Sequence, residues 1–265
     1  NIKIAGRMTS FRVMGKVAFA DLKDSSGRLQ IYIQRDLVGE DNYKRFKKFD
    51  LGDILGAEGH LFVTKTGELT VKVETFELLS KSLRPLPEKW HGLTDVEQRY
   101  RQRYLDLIGN DEAKDVFKKR VAIIREVRSY LETRGFIEVE TPMLQPIPGG
   151  AAAKPFKTRY EALSCDMYMR IATELYLKRL LVGGFERVFE MNRNFRNEGM
   201  SRRHNPEFTA LEVYQAYGDC QKMMDLIEEM VTTVAMKVFG TLQIKHPGDK
   251  VINLQRPWRR ATYRE

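Results

Sequence analysis

Two stretches separated by a short loop decide the fold of this chain: Arg187-Val-Phe-Glu-Met-Asn-Arg-Asn-Phe-Arg-Asn-Glu198 and Arg203-His-Asn-Pro-Glu-Phe-Thr-Ala-Leu-Glu-Val-Tyr-Gln-Ala-Tyr217. Successive side chains of a strand point to opposite faces. In the first stretch Glu190, Asn192, Asn194, Arg196 and Glu198 therefore share one face, and Phe189, Met191 and Phe195 share the other, interrupted by Arg193. In the second, Phe208, Ala210, Glu212 and Tyr214 share a face, with Leu211 and Val213 opposite. Paired antiparallel, the two strands would form a concave polar floor with an aromatic residue at one end. Periodicity alone fits an ordinary half-solvated sheet at least as well.

Working outward, strands are expected near Phe136–Val139, Tyr168–Ile171, Arg187–Phe195 and Glu207–Tyr217, with helices near Glu174–Leu181 and Asp219–Val238. A long helix over Asp111–Arg134 precedes them. Val116, Val121, Ile124, Val127 and Leu131 form its apolar stripe and Gly135 is placed to stop it. The part before this reads differently. β-type patterning at Ile2–Met8, Met14–Ala20 and Leu29–Ile33 is separated by turn residues at Asp24–Arg28; a charged helix over Asp41–Phe49 and strands near Asp53–Thr64 and Leu69–Leu78 follow. Five strands with one helix between the third and fourth match an OB-fold barrel, a common oligonucleotide-binding module. Pro85 and Pro87 interrupt any ladder or helix. The organisation is thus α+β: a barrel over 1–82, a linker over 83–110 and a second, antiparallel-sheet domain over 111–265 that runs off the end of the chain. The chain opens at Asn1 inside a strand, which suggests that residues precede it.

Lys and Arg outnumber Asp and Glu by 45 to 36, a net charge of +9. That excess favours a polyanionic partner such as nucleic acid without proving one. No apolar run approaches the roughly 18–20 residues needed to cross a bilayer, so no membrane association is expected. Cys165 and Cys220 have neither metal-ligand nor CxxC spacing and read as reduced thiols of a cytoplasmic protein.

Phe195-Arg-Asn-Glu198 followed by Arg203-His-Asn-Pro-Glu-Phe208 resembles motif 2, the ATP-binding hairpin of class II aminoacyl-tRNA synthetases. Gly135-Phe-Ile-Glu-Val-Glu-Thr-Pro142, after its helix, is similar to their motif 1. Ile147-Pro-Gly-Gly-Ala-Ala-Ala-Lys-Pro-Phe156, Glu174-Leu-Tyr-Leu-Lys-Arg-Leu180 and Val182-Gly-Gly-Phe-Glu-Arg-Val188 look specifically like the lysyl branch. The resemblance covers essentially the whole chain in the family's order. It implies ATP-dependent activation of L-lysine and transfer to tRNA(Lys), with ATP and Mg²⁺ required, and a homodimer formed through residues 111–142.

Residue by residue, the resemblance implies that Arg196 grips the α-phosphate and the lysine carboxylate. Glu198 would bond the adenine amino group, His204 approach the γ-phosphate, Asn205 help hold the nucleotide and Phe208 stack on adenine. These residue types suit a reaction between two anions, in which positioning and cationic groups carry catalysis. Glu212 and Tyr214 would hold the lysine ammonium, which needs a partner once withdrawn from water; Gly150 and Glu174 would surround its α-amino group. In the barrel, the family's pattern puts Arg12, Phe19, Gln30 and Glu68 on the central anticodon uridine. Aromatic faces flanked by cations and amides suit unpaired bases, although a barrel also needs an aromatic core and Phe19 alone fits either role.

Aspartyl and asparaginyl enzymes share the architecture, but an aspartate pocket would need a cation where Glu212 stands. A non-catalytic tRNA-binding relative is the rival from another class. The family usually has Pro where this chain has Thr173; Thr also starts helices and can cap them, so little functional change is expected. The family's third motif, with its ATP-tail Arg and nearby Mg²⁺ ligands, is not found before Glu265, so no metal ligand is expected within the chain. A polypeptide ending at Glu265 is accordingly expected not to make lysyl-adenylate. Lysine-dependent ATP–pyrophosphate exchange by the 265-residue chain would overturn that expectation.

Overall fold

The computed structural model describes residues 1–86, 93, 95–201, 203–246, 248 and 250–262. The chain divides into two compact units, Asn1–Lys114 and Asp115–Glu265.

In the first unit, strands β1 (Ile2–Met14), β2 (Val17–Lys23), β3 (Arg28–Gln34), β4 (Ile54–Val63) and β5 (Leu69–Ser80) close a barrel in the order β1-β2-β3-β5-β4. Closure depends on β1, whose first half pairs with β4 (Ile2 opposite Gly59) and whose second half pairs with β2 (Met14 opposite Val17). A register shift between Met8 and Ser10 lets it turn the corner. The expected helix over Asp41–Phe49 is observed as α2 (Glu40–Phe46), and a further short helix, α1 (Arg35–Val38), precedes it across Gly39 at φ +87°. Alternate residues of the strands fill the interior: Met8, Ala18, Ala20, Ile31, Ile33, Leu55, Val71 and Val73. Phe46 of α2 plugs one end, packed edge-on against Phe11, Phe49 and Phe76 at 5.3–5.5 Å between centroids. Small Ala18 and Ala20 on β2 leave room for these rings, and alternation then puts Phe19 outside.

The interval read as a linker, 83–110, contains two short helices, α3 (Val96–Arg101) and α4 (Arg103–Gly109). Asp95 caps α3 through the Gln98 N–H at 2.7 Å, and the buried Asp106 holds Arg99 Nε at 2.8 Å and Arg103. Residues 87–92 and 94, Pro87 among them, lie outside the described residues.

The second unit takes in most of α5 (Asp111–Thr133), ended as expected by Gly135 at φ +77°. Then come β6 (Ile137–Glu138), β7 (Leu144–Gln145), β8 (Lys157–Tyr160), β9 (Cys165–Met169), α6 (Glu174–Val182), β10 (Arg187–Phe195), β11 (Glu207–Gln215), α7 (Cys220–Phe239), β12 (Gln243–His246) and β13 (Lys250–Asn253). The main sheet has the order β11-β10-β6, with β10–β11 antiparallel and β6 parallel to β10. A second sheet, β7-β9-β8, was not foreseen. Its hairpin turn at Ser164 (φ +50°) moves the strand expected at Tyr168–Ile171 back to Cys165–Met169, where β8 supplies a partner. The hairpin β12–β13 was also missed. Cys165 and Cys220 form no disulfide.

Phe189, Leu211 and Val213 on one face of the main sheet pack with Tyr130, Leu131 and Val127 of α5 and Met230 and Val234 of α7. Each fully buried side chain such as Leu131 or Phe189 contributes roughly 1.5–3 kcal/mol relative to exposure. The expected stripe of α5 is only half right: Val127 and Leu131 reach this core, whereas Val116 and Val121 are 64% and 67% exposed. Periodicity marks an apolar face but not what covers it.

Asp53, buried at the start of β4, fastens the end of the barrel. It accepts the Asp50 and Ser82 main-chain N–H groups at 2.9 and 2.8 Å and Lys81 Nζ at 2.9 and 3.0 Å. Burial alone would raise its carboxyl pKa, but these donors outweigh burial and hold it below the ordinary carboxylate range. A carboxyl depressed on folding stabilises above its unfolded pKa, near 3.9, and loses that contribution as pH falls through the folded value. Asp53→Asn is therefore expected to cost about 1–3 kcal/mol at neutral pH. It should also flatten the acid limb of the stability curve, measured by urea unfolding between pH 2 and 7.

Candidate functional site

The antiparallel register of β10 and β11 sets Val188 opposite Tyr214, Glu190 opposite Glu212, Asn192 opposite Ala210 and Asn194 opposite Phe208. Phe208, Glu212 and Tyr214 thus share a face with Glu190, Asn192 and Asn194, as expected from alternation, and the helices α5 and α7 cover the other face. Two corrections follow. The floor is not half-solvated, since Glu190 and Asn194 are 1% and 2% exposed. And β10 ends at Phe195, so Arg196 and Glu198 lie past the strand rather than on its face. The chain leaves the ladder there because the Asn197 N–H bonds the Lys154 carbonyl at 2.7 Å, drawing it toward the glycine-rich segment.

Glu212 is held at both oxygens by neutral donors: the Thr173 main-chain N–H at 3.1 Å and the Tyr214 hydroxyl at 2.9 Å. Burial, then the Glu212 hydrogen bond and charge, push the Tyr214 hydroxyl above its ordinary range, so it stays protonated and remains the donor. Thr173 does not cap α6 with its side chain; it contributes an N–H that proline would lack, and its hydroxyl oxygen is buried without a partner. Gly150 lies against α6 at φ +87°, where a Cβ would come within 2.9 Å of Glu174 Cβ and 3.1 Å of Ala172 Cβ. Glu174 also pairs with Lys178 at 2.6 Å.

The Arg196 guanidinium sits 5.1 Å from the Phe208 ring centroid, with Nε 3.4 Å from the Ile171 carbonyl. A guanidinium at this distance is attracted by the ring's electron-rich face, which restrains it. Glu198 Oε1 accepts the Lys154 N–H at 3.3 Å. His204 lies on the exposed tip, its Nδ1 2.7 Å from Ser201 Oγ, and Asn205 beside it is exposed. Arg202 in the same loop lies outside the described residues. The structure therefore brings Arg196 to Phe208, Glu212 to Tyr214 and Gly150 to Glu174, and leaves His204 and Asn205 apart on the tip. Among the described residues no group of three His, Cys, Asp or Glu side chains suits a metal ion, and no helix is long and apolar enough to cross a membrane.

On the barrel, register runs Arg12 to Phe19 to Tyr32 across β1, β2 and β3. Phe19 and Tyr32 lie 5.1 Å apart and Tyr32 and Phe62 5.7 Å apart, forming a half-buried aromatic strip outside the barrel core. Beside it, Gln30 donates to Glu68 at 3.4 Å and accepts from Thr70 Oγ1 at 3.0 Å. Arg28 joins Glu68 to Asp21, each at 3.2 Å, and Ser10 donates to Asp21 at 2.5 Å. Arg12 is exposed at the strip's end.

Residues 95–265 match the family of tRNA synthetases class II (D, K and N), and residues 2–79 match the OB-fold nucleic acid binding domain. The chain belongs to the class II tRNA synthetase family. It is 60% identical to a lysine–tRNA ligase of Carboxydothermus hydrogenoformans over 98% of its own length and 53% of that protein. A lysine–tRNA ligase of Magnetococcus marinus is 59% identical (99% and 52%), and one of Coxiella burnetii 55% (100% and 53%). The chain spans about half the length of these curated relatives. The α+β organisation read from the sequence, an OB barrel followed by part of a class II synthetase region, is what these matches and the sheet topology show.

Several residues that build this class II site were not singled out from sequence. Arg170, fully buried, binds Glu190 at 2.6 Å and the carbonyl of Arg193 at 2.8 Å; Thr141 donates to Glu190 at 2.6 Å. On the barrel, Arg28, Asp21 and Thr70 were missed in the same way. An arginine between Met169 and Ile171 was the one available signal, since a cation in an apolar context needs a buried anion. At Gly150, both space and backbone require glycine. Gly150→Ala is expected to displace the start of α6 and cost about 1–3 kcal/mol, read as a lowered thermal midpoint by circular dichroism.

Proposed function

We propose that the protein to which this chain contributes activates L-lysine with ATP to lysyl-adenylate and transfers it to tRNA(Lys). The observation that carries this reading is the half-buried Glu212 carboxylate, held by two neutral donors on the same face as Phe208. Among the described residues this carboxylate has no cationic partner, which favours an ammonium ligand, whereas the side-chain carboxylate of aspartate would meet like charge. The relatives named as lysine–tRNA ligases support the same choice.

In this proposal lysine lies along the floor. Its ammonium meets Glu212 and Tyr214, its α-amino group lies near Glu174 and Gly150, and its carboxylate faces Arg196. Adenine stacks on Phe208, with its amino group toward Glu198, and His204 and Asn205 close over the phosphates from the hairpin tip. The lysine carboxylate then attacks the α-phosphorus and pyrophosphate leaves. Arg196 neutralises charge that develops on both reactants, and its cation–ring contact with Phe208 restrains the guanidinium before they meet. Class II synthetases use Mg²⁺ with ATP, and among the described residues no cluster of three His, Cys, Asp or Glu side chains suits a metal ion. The strip of Phe19, Tyr32 and Phe62, with Arg12, Gln30 and Glu68, suits stacking and edge-reading of anticodon bases, and the +9 charge suits a polyanion. Exposed Val116 and Val121 support a homodimer through the α5 region. The absence of paired cysteines is in keeping with a cytoplasmic setting.

In the full-length protein, Glu212→Gln is expected to raise KM for lysine by about 10–100-fold, the cost of losing a charged hydrogen bond, with KM for ATP little changed. ATP–pyrophosphate exchange measures both. An unaltered lysine KM would sink the assignment of Glu212, and exchange stimulated by aspartate instead of lysine would sink the substrate.

A further inference from the structure

Glu190 and Glu212 are direct cross-strand partners on one face of the floor. Facing residues of an antiparallel pair hold their Cβ atoms about 4.5–5.5 Å apart, and like charges at such positions repel. The two carboxylates are treated differently. Among the described residues Glu212 meets neutral donors alone, the Thr173 N–H and the Tyr214 hydroxyl. Glu190, 1% exposed, is saturated: Arg170 Nη1 at 2.6 Å and Asn192 Nδ2 at 3.4 Å on one oxygen, the Thr141 hydroxyl at 2.6 Å on the other. Arg170 is itself fully buried and pinned to the Thr141 and Arg193 carbonyls at 3.1 and 2.8 Å, with its Nη2 left without a partner. Stability alone gives little reason for such a pair, because apolar residues of similar volume often replace a buried ion pair without loss. An orphaned donor makes it costlier still. Glu174, beside Gly150, is paired with Lys178 at 2.6 Å.

We propose that Arg170 is a positioning residue of the amino-acid pocket: by neutralising Glu190 it leaves Glu212 as the one uncompensated carboxylate of the floor, which fixes the pocket's charge for a single ammonium. Without this compensation the floor would carry two adjacent negative charges and would take up a proton or a second cation. With Arg170 present and Glu190 neutral, a buried positive charge would oppose the incoming ammonium. Arg170 touches no substrate; it acts through Glu190 on the field at Glu212.

This inference rests on the assignment of lysine to Glu212, so the test keeps the two apart. The full-length enzyme is assayed for exchange with lysine and with its neutral isostere, which has a hydroxyl in place of the side-chain ammonium. If the unaltered enzyme shows no preference for lysine, the assignment of Glu212 falls and this proposal with it. Given that preference, Glu190→Gln, which keeps the shape and leaves Arg170 unbalanced, is expected to lower the lysine-to-isostere ratio of kcat/KM about tenfold or more, as a unit charge a few ångströms away would. KM for ATP should not move. The double variant Arg170→Met with Glu190→Gln restores neutrality and should return the ratio toward the unaltered value. Loss of both substrates alike in Glu190→Gln, an unchanged ratio, or failure of the double variant to restore it would overturn the proposal. Should Glu190→Gln not fold, Arg170→Gln decides, with the ratio expected to rise or to depend on an added second cation. If neither single variant folds while the double variant does, the pair serves the fold alone and the proposal fails.

Discussion

Pairing of β10 with β11 in one register is the constraint on which the second unit depends. With Glu190 opposite Glu212 and Phe189 opposite Val213, the sheet presents an apolar face to α5 and α7 and a polar face to the site. A slip of one residue would exchange every side chain between the faces. A slip of β11 would bury Glu212 against Leu131 and Met230, and a slip of β10 would expose Phe189. Core formation and site formation are therefore one event: the apolar contacts that choose the register also place Phe208, Glu212 and Tyr214 together.

Burial then divides the polar face. Glu190 lies deep and is tied to Arg170, Thr141 and Asn192, whereas Glu212 and Tyr214 stay half-buried, and among the described residues Glu212 is met by two neutral donors, the Thr173 N–H and the Tyr214 hydroxyl. A network of the first kind fixes geometry, because each buried group without its partner costs free energy. Groups of the second kind keep capacity for a ligand. The same division recurs on the barrel, where Ser10, Asp21, Arg28, Glu68, Gln30 and Thr70 form a continuous hydrogen-bonded set beside the open aromatic strip of Phe19, Tyr32 and Phe62.

Much of this was legible in the residues. Alternation in Arg187–Gln215 gave the two strands and their faces, turn residues and short alternating runs gave the five strands of the barrel, and Gly135 marked the end of α5. Local periodicity carries that information because strand and helix repeats are properties of the backbone. It could not say that Arg196 and Glu198 lie past the strand, since the Lys154 carbonyl that draws the chain away is more than forty residues distant. Nor could it find the short β7, β8 and β9 strands, whose pairing is set by neighbours and not by composition. Val116 and Val121 show the same limit: an apolar stripe was evident, but only packing decides how far along the helix it is covered.

The sequence by itself determined the two-part organisation, the β10–β11 hairpin and the residue types gathered there, because each rests on local pattern and on a continuous motif string. Tertiary structure alone decided which carboxylate is neutralised and which stays available. Glu190 and Glu212 are alike as residues and as strand positions. They differ in charge because Arg170, brought in from another strand's end, reaches one of them, and charge compensation across a fold depends on proximity in space that no stretch of sequence contains.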